Sequence, residues 1–379
     1  MTFLDRYADS ILHSALNIHE GDVLSINTEE EDYAFARLIA EKAKRITGNG
    51  SYIQLLKNGR ITEEFDILSD FPLTKKPTLF LYLSYYRKKD EVETGRIYEA
   101  KDLQRFSLLS DPIDNPSPSF PFVTSFLPSP DWDEMMETAD SGKTSEELLS
   151  SLFTLEEEEN AMRHENLLYK MKALNAMGLT EGRITADNGT DLTFSFLPSS
   201  SFHSSYSETT DSRLFSPYII ASDVFRLIDP MSLDGWLNTT RPFMLWGKVV
   251  RNLSLKFEKG KAVKCIGNMF TQSLFSIYSS QDENAARGSM LTLTDTSNPL
   301  GDEEITFIPE LDRMRTVSLT LGGPKGEAVD RGCEEKTVDS LLSLSLPIGD
   351  DSLTVVALDR DGNERTVYSD GSINEENDF

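Results

Sequence analysis

The chain has 379 residues and a formal charge of −26, from 37 Lys plus Arg against 63 Asp plus Glu. So acidic a chain repels a polyanion and has little basic surface with which to release its counterions, which argues against a nucleic-acid partner. Hydrophobic residues at 39% and charged residues at 26% supply packed cores and argue against wholesale disorder, while the length predicts two or three domains.

Phe3, Leu4, Tyr7, Ile11, Leu12, Ala15 and Leu16 recur at spacings of mostly three or four, which predicts an opening helix with one apolar face. Gly21-Asp22 ends it, Val23, Leu24 and Ile26 read as a short buried strand, and Ala34, Leu38, Ile39, Ala43 and Ile46 return to helical spacing before Gly48-Asn49-Gly50. Strands over 52–56 and 78–85 continue the alternation and predict a parallel sheet covered by helices. The segment 111–130, DPIDNPSPSFPFVTSFLPSP, is so rich in Pro and Ser that it reads as a linker or extended surface loop. Residues 145–174 regain helical character, with Glu156–Glu159 as a solvated acidic face.

Beyond Gly182 the pattern changes to strands. Asn188-Gly189 between 183–186 and 191–196 is a hairpin signal, because Asn-Gly suits the positive φ of a tight turn. A second hairpin is predicted from 248–257 to 262–266 across Glu258-Lys259-Gly260, and a third from 353–358 to 364–368 across Asp361-Gly362. Ser199–Ser207 has no periodicity and reads as a mobile loop. The aromatics Phe225, Trp236, Phe243 and Trp246 read as core. The whole is an α+β fold of two domains: an N-terminal α/β domain over 1–180, including the linker, and a C-terminal, mainly antiparallel β domain over 181–379.

No apolar run reaches 18 residues, no basic segment leads into an apolar one near Met1, and Cys265 and Cys333 are the only cysteines. The expectation is a soluble, cytoplasmic protein without a membrane span, an export signal or a disulfide framework. The sequons at Asn49, Asn188, Asn238 and Asn252 then read as turn residues. The short signatures GxSxG, HExxH, CxxC and GxGxxG are missing, and Leu321-Gly322-Gly323-Pro324-Lys325-Gly326 lacks phosphate-loop spacing and reads as a plain turn. The four histidines are His13, His19, His164 and His203, so none follows His203 in the β half. His13 and His164, far in sequence from the β half, read as surface or capping groups, since a zinc site needs several convergent N or S donors.

Several local patterns are shared with one family. They are Tyr7-Ala8, Leu16, Ile18, Gly21-Asp22-Val23 and Ile26; then His164, Leu167 and Leu174-Asn175; and then Gly189-Thr190-Asp191-Leu192. Val224-Phe225, Pro230, Gly235, Pro242, Gly247, Leu255-Lys256-Phe257 and Gly260-Lys261 follow. In these the chain resembles the metal-dependent aminopeptidases of the aminopeptidase T, aminopeptidase S and PepS type, the thermophilic metalloaminopeptidases. The resemblance implies two divalent ions (zinc, cobalt or manganese), removal of N-terminal residues from peptides, a two-domain scaffold with a peptide-sized cleft, and a homodimer with the β half enclosing an internal cavity. It also implies where the metal ligands should fall: at Asp223, Ser289, Ser318, Ser343 and Ser345, where only Asp223 keeps a carboxylate. Neutral hydroxyls cannot stand in for imidazoles and carboxylates around a pair of divalent ions. The expectation is therefore a divergent, non-catalytic member with no metal bound, no catalytic residue, and a binding or assembly role.

Three alternatives stand beside it. Ligands displaced to other positions would give an active aminopeptidase. Glu303, Glu304, Glu310 and Asp312 with Asp223 would give a new oxygen-ligand site for Ca²⁺ or Mg²⁺. An acidic surface recruiting a basic partner would give a regulatory protein. Ser318, Ser343 and Ser345, at every second position of their strands, would let the β scaffold persist without burying unpaired charge.

Overall fold

A computed structural model describes residues 2–57, 60–67, 75–85, 120–138, 142–153, 157–218, 221–246, 248–324 and 336–374. They divide into two compact units. One comprises Met1–Lys88, Ser117–Asn166 and Ser205–Ala221; the other contains Leu167–Ser204 and Ser222–Phe379.

In the first unit Thr2 caps helix α1 (Phe3–Ser10) reciprocally: its hydroxyl accepts the Asp5 N–H at 3.2 Å and the Asp5 carboxylate accepts the Thr2 N–H at 3.1 Å. A π turn, Ile11–Ala15, carries the helix on, and it buries Tyr7, Ile11, Leu12 and Ala15, residues whose spacing predicts it. Strand β1 (Leu24–Thr28) and helix α2 (Tyr33–Thr47) follow, and α2 stops at Gly48, whose φ of 73° a side-chain-bearing residue rarely adopts. With β2 (Ser51–Lys57), β3 (Arg60–Ile67), β4 (Leu79–Tyr85) and β5 (Phe122–Leu127), β1 builds a sheet ordered β3-β2-β1-β4-β5. All its pairings are parallel except that of the edge strand β3.

Strand β5 corrects the reading of 111–130 as a linker. Its six residues are all buried, and they pair with β4 from Phe80↔Phe122 to Tyr85↔Leu127. The prolines fall at Pro121 and Pro128, just outside the strand, so no ladder N–H is missing. Residues 111–119 lie outside the described residues. Tyr7 locks α1 to this strand, donating its hydroxyl to the Phe126 carbonyl at 2.6 Å and accepting from Ser125 at 2.8 Å. Helices α3 (Pro130–Thr138) and α4 (Ser145–Phe153) and a short ribbon, β9 (Ser207–Glu208) with β10 (Leu214–Phe215), complete the unit.

Helix α4 and helix α5 (Glu157–Ala176) occupy the predicted helical stretch 145–174; Glu156 and the side chains of Glu157–Glu159 lie outside the described residues. In the second unit β6 (Glu181–Thr185) and β7 (Asp191–Ser195) form the predicted hairpin, with Gly189 at φ 88°. They join β12 (Asp234–Asn238), β15 (Ser254–Glu258), β16 (Lys261–Ile266), β20 (Thr354–Leu358), β21 (Glu364–Ser369) and β22 (Ser372–Ile373) in an eight-stranded antiparallel sheet. Burial alternates along most of these strands, as a sheet with one buried face requires.

The second sheet of this unit has the order β19-β18-β17-β11-β8, from β8 (His203–Ser204), β11 (Asp223–Leu227), β17 (Gly288–Thr294), β18 (Ser318–Gly322) and β19 (Ser343–Pro347). Every residue of β11, β17 and β18 is buried, so both faces of its centre are covered. Ser199–Ser207 is not the loop its composition predicts. Ser200, Ser204 and Ser205 are buried, β8 pairs with β11, and the Ser200 hydroxyl is satisfied by the Leu197 carbonyl at 2.7 Å. The predicted strand 248–257 is broken: β14 (Lys248–Val250) pairs back on β13 (Phe243–Leu245), and Asn252 at φ 55° separates it from β15. Asn49, Asn188 and Asn252 lie in turns, whereas Asn238 ends strand β12. Phe225 and Phe243 are core, but Trp236 and Trp246 are half-buried, with Lys264 standing over the Trp236 ring. No described helix is long and apolar enough to cross a membrane.

Candidate functional site

Cross-strand partners in a sheet point to the same face, so register shows which side chains share a surface. Asp223 pairs with Thr294, Phe225 with Thr292 and with His203, Thr292 with Ser318, Thr320 with Ser345, and Gly322 with Ser343. Four of the five positions singled out from the sequence, Asp223, Ser318, Ser343 and Ser345, therefore lie on one face. Ser289 does not follow this order. It is the extra residue of a bulge between Gly288 and Met290, and its hydroxyl donates to the Thr320 carbonyl at 3.2 Å. Ser343 is exposed and Ser345 half-buried, with the Thr320 and Ser345 hydroxyls 3.2 Å apart. Gly322 ends β18 at φ 82°, where a Cβ would stand 2.0 Å from the Leu342 carbonyl oxygen; the close approach of β19 requires glycine there.

The centre of this face is buried and hydroxyl-lined. Thr292, Thr294 and Ser318 are buried, and among the described residues their hydroxyls have no hydrogen-bond partner. The charge on the face comes from a pair that sequence reasoning only half anticipates. Asp223 is fully buried, and its Oδ2 lies 3.2 Å from Nη2 of Arg313, itself only 4% exposed. Helix α6 (Met269–Gln281) is followed by helix α7 (Pro309–Arg313), which Arg313 closes; its guanidinium stands 5.5 Å from the centre of the Phe225 ring. The signal in the sequence was two arginines, Arg313 and Arg315, between acidic residues and the apolar strand Ser318–Gly322.

Arg315 does different work two residues on. Fully buried, it donates to the carbonyls of Glu303, Glu304 and Pro242, and its Nε lies 3.0 Å from Asp312 Oδ1. Asp312 also accepts from the N–H and the hydroxyl of Thr306; burial pushes its pKa up, and Arg315 opposes that shift. Glu304 pairs with Arg251 at the surface. Among the described residues no three His, Cys, Asp or Glu gather into a group that could hold a metal ion, so Glu303, Glu304, Glu310 and Asp312 do not close such a group with Asp223. The loop is a clamp built around Arg315.

His13 and His19 are exposed. His164 is neither a surface nor a capping group: it is buried and stacked on Tyr206, ring centres 4.1 Å apart, and burial beside Arg163 brings its pKa down to about 4. His203 lies on the hydroxyl-lined face, stacked against Phe225 at 6.3 Å. Burial pushes the Cys265 thiol up to about 11; Cys333, like Lys325 and Gly326, lies outside the described residues.

A family model described as thermophilic metalloprotease (M29) matches residues 117–373. Aminopeptidase T of Thermus thermophilus is 25% identical over 194 residues, covering 48% of this chain and 46% of that protein. Aminopeptidase PepS of Streptococcus thermophilus is 21% identical over 212 residues, covering 53% and 51%. The matched stretch thus spans about half the length of these curated relatives. Among solved structures, wild-type AmpT from Thermus thermophilus has a TM-score of 0.70 over 98% of both chains at 18% identity. A 2,5-dihydroxypyridine dioxygenase from Pseudomonas putida KT2440 has a TM-score of 0.56 over 98% of both chains at 13% identity. Two proteins whose names denote different reactions thus share this fold, so the fold alone leaves the reaction open.

Proposed function

The chain belongs to the thermophilic metalloprotease (M29) family, and from that premise we propose that it is an aminopeptidase-like protein whose dinuclear metal centre is lost, leaving a non-catalytic scaffold with a binding or assembly role. The observation that carries this reading is the donor set of the hydroxyl-lined face: one carboxylate, Asp223, already paired with a guanidinium, among Thr292, Thr294, Ser318 and Ser345. These residues do not fit two divalent ions. A pair of such ions needs several anionic carboxylates and imidazoles to offset desolvation, and a serine hydroxyl is a weak neutral donor. Without that centre there is no activated water and no Lewis acid at a scissile carbonyl.

A peptide-sized ligand and a homodimer belong to the same proposal and rest on the resemblance; a cytoplasmic location is proposed with them. Elemental analysis after incubation with excess Zn²⁺, Co²⁺ or Mn²⁺ and desalting, paired with a leucyl-amide hydrolysis assay, tests its centre. The expected result is metal-free protein without turnover. Two equivalents of metal with turnover would establish instead an active aminopeptidase whose ligands lie at other positions.

A further inference from the structure

We infer that Arg313 is a built-in cation: its guanidinium neutralises the buried Asp223 carboxylate on the sheet face where a metal centre is expected, and so lets the fold persist without metal. The inference rests on the proposed function and deepens it.

A fully buried carboxylate is strongly disfavoured unless a cation or several donors accompany it. Asp223 is such a group, at the first position of β11, and Nη2 of Arg313 stands 3.2 Å from its Oδ2. The guanidinium is placed over this same face, because it also stands over Phe225, which shares the face of β11 with Asp223. The side chain leaves from the last residue of α7. Arg315, which donates to the carbonyls of Asp312, Glu303, Glu304 and Pro242, ties the turn after α7 to the neighbouring segments. The hydroxyls of Thr292, Thr294 and Ser318 add no charge to the face, and the guanidinium offsets the carboxylate of Asp223. A divalent ion brought to Asp223 would be repelled by the guanidinium 3.2 Å away.

The experiment is a double-mutant cycle with chemical complementation, on the full chain. Arg313→Met and Asp223→Asn are each expected to lower Tm by roughly ten degrees, since breaking a buried pair leaves one charge uncompensated. The double variant, which removes both charges, is expected to lose clearly less than the sum of the two. Arg313→Ala leaves a space beside Asp223, and low-millimolar methylguanidinium is expected to raise its Tm, with potassium chloride as the control and no rise in the wild type or in Asp223→Asn/Arg313→Ala. Additive losses in the cycle, or no rise with methylguanidinium, would overturn the inference. If the single variants do not fold, the neutral double variant is still expected to, and its failure counts against the pairing. Stoichiometric metal with turnover in the wild type would overturn the proposed function. Metal-free wild type with additive variants would overturn this inference alone.

Discussion

His164 stacks on Tyr206 in a buried setting that disfavours imidazolium, and its pKa falls to about 4 against the usual 6.5. The unfolded chain therefore takes up a proton first on acidification, and the folded state loses ground as pH drops from about 6.5 towards 4, with no further loss below. The full effect is on the order of 3 kcal/mol. His164→Phe keeps a ring against Tyr206 and is expected to flatten that part of the pH–stability curve, measured by urea unfolding between neutral pH and pH 4; an unchanged curve would place the titration elsewhere. At the same scale, Gly322→Ala forces a Cβ into the Leu342 carbonyl at an unfavourable φ, and a loss of about 2 kcal/mol or more is expected in the same unfolding assay. That glycine was visible in the sequence as part of a turn. Its reason, the nearness of β19, was not.

Elements were legible where their signal is local. The face of α1, the Gly48 stop after α2 and the Asn188-Gly189 hairpin follow from side-chain period and from the positive φ that glycine tolerates. Strand β5 was missed because proline and serine counts report average composition, whereas the decisive fact is that Phe122–Leu127 contains no proline and is covered on both faces. The Ser199–Ser207 segment was missed for a related reason: serine is compatible with burial once a carbonyl or a neighbouring strand takes its hydrogen bonds. Helix α6 offers a test of local control. Asn268 caps it by accepting the Thr271 N–H at 2.8 Å, and Asn268→Ala should cost about 1 kcal/mol in thermal or urea unfolding, with the fold retained. A loss far above that would mean the asparagine holds more than the helix end.

For the molecule as a whole, a charge of −26 acts at every separation below the screening length. Raising ionic strength from about 0.01 M to about 0.15 M shortens that length from roughly 30 Å to roughly 8 Å, so Tm is expected to rise with sodium chloride, read by differential scanning fluorimetry. A fall would mean that exposed pairs such as Arg183–Asp191 and Lys256–Glu258 outweigh the general repulsion. The sequence by itself determined the acidic charge, the change from a helix-covered sheet to antiparallel strands, and the resemblance that singled out Asp223, Ser318, Ser343 and Ser345, because charge, periodicity and short motifs are carried by residues close along the chain. Only the tertiary structure decided that those four share a face, that Ser289 falls in a bulge, and that Arg313 reaches Asp223. Strand register and buried ion pairing are set between residues far apart in sequence, where neither period nor composition records which side chains meet.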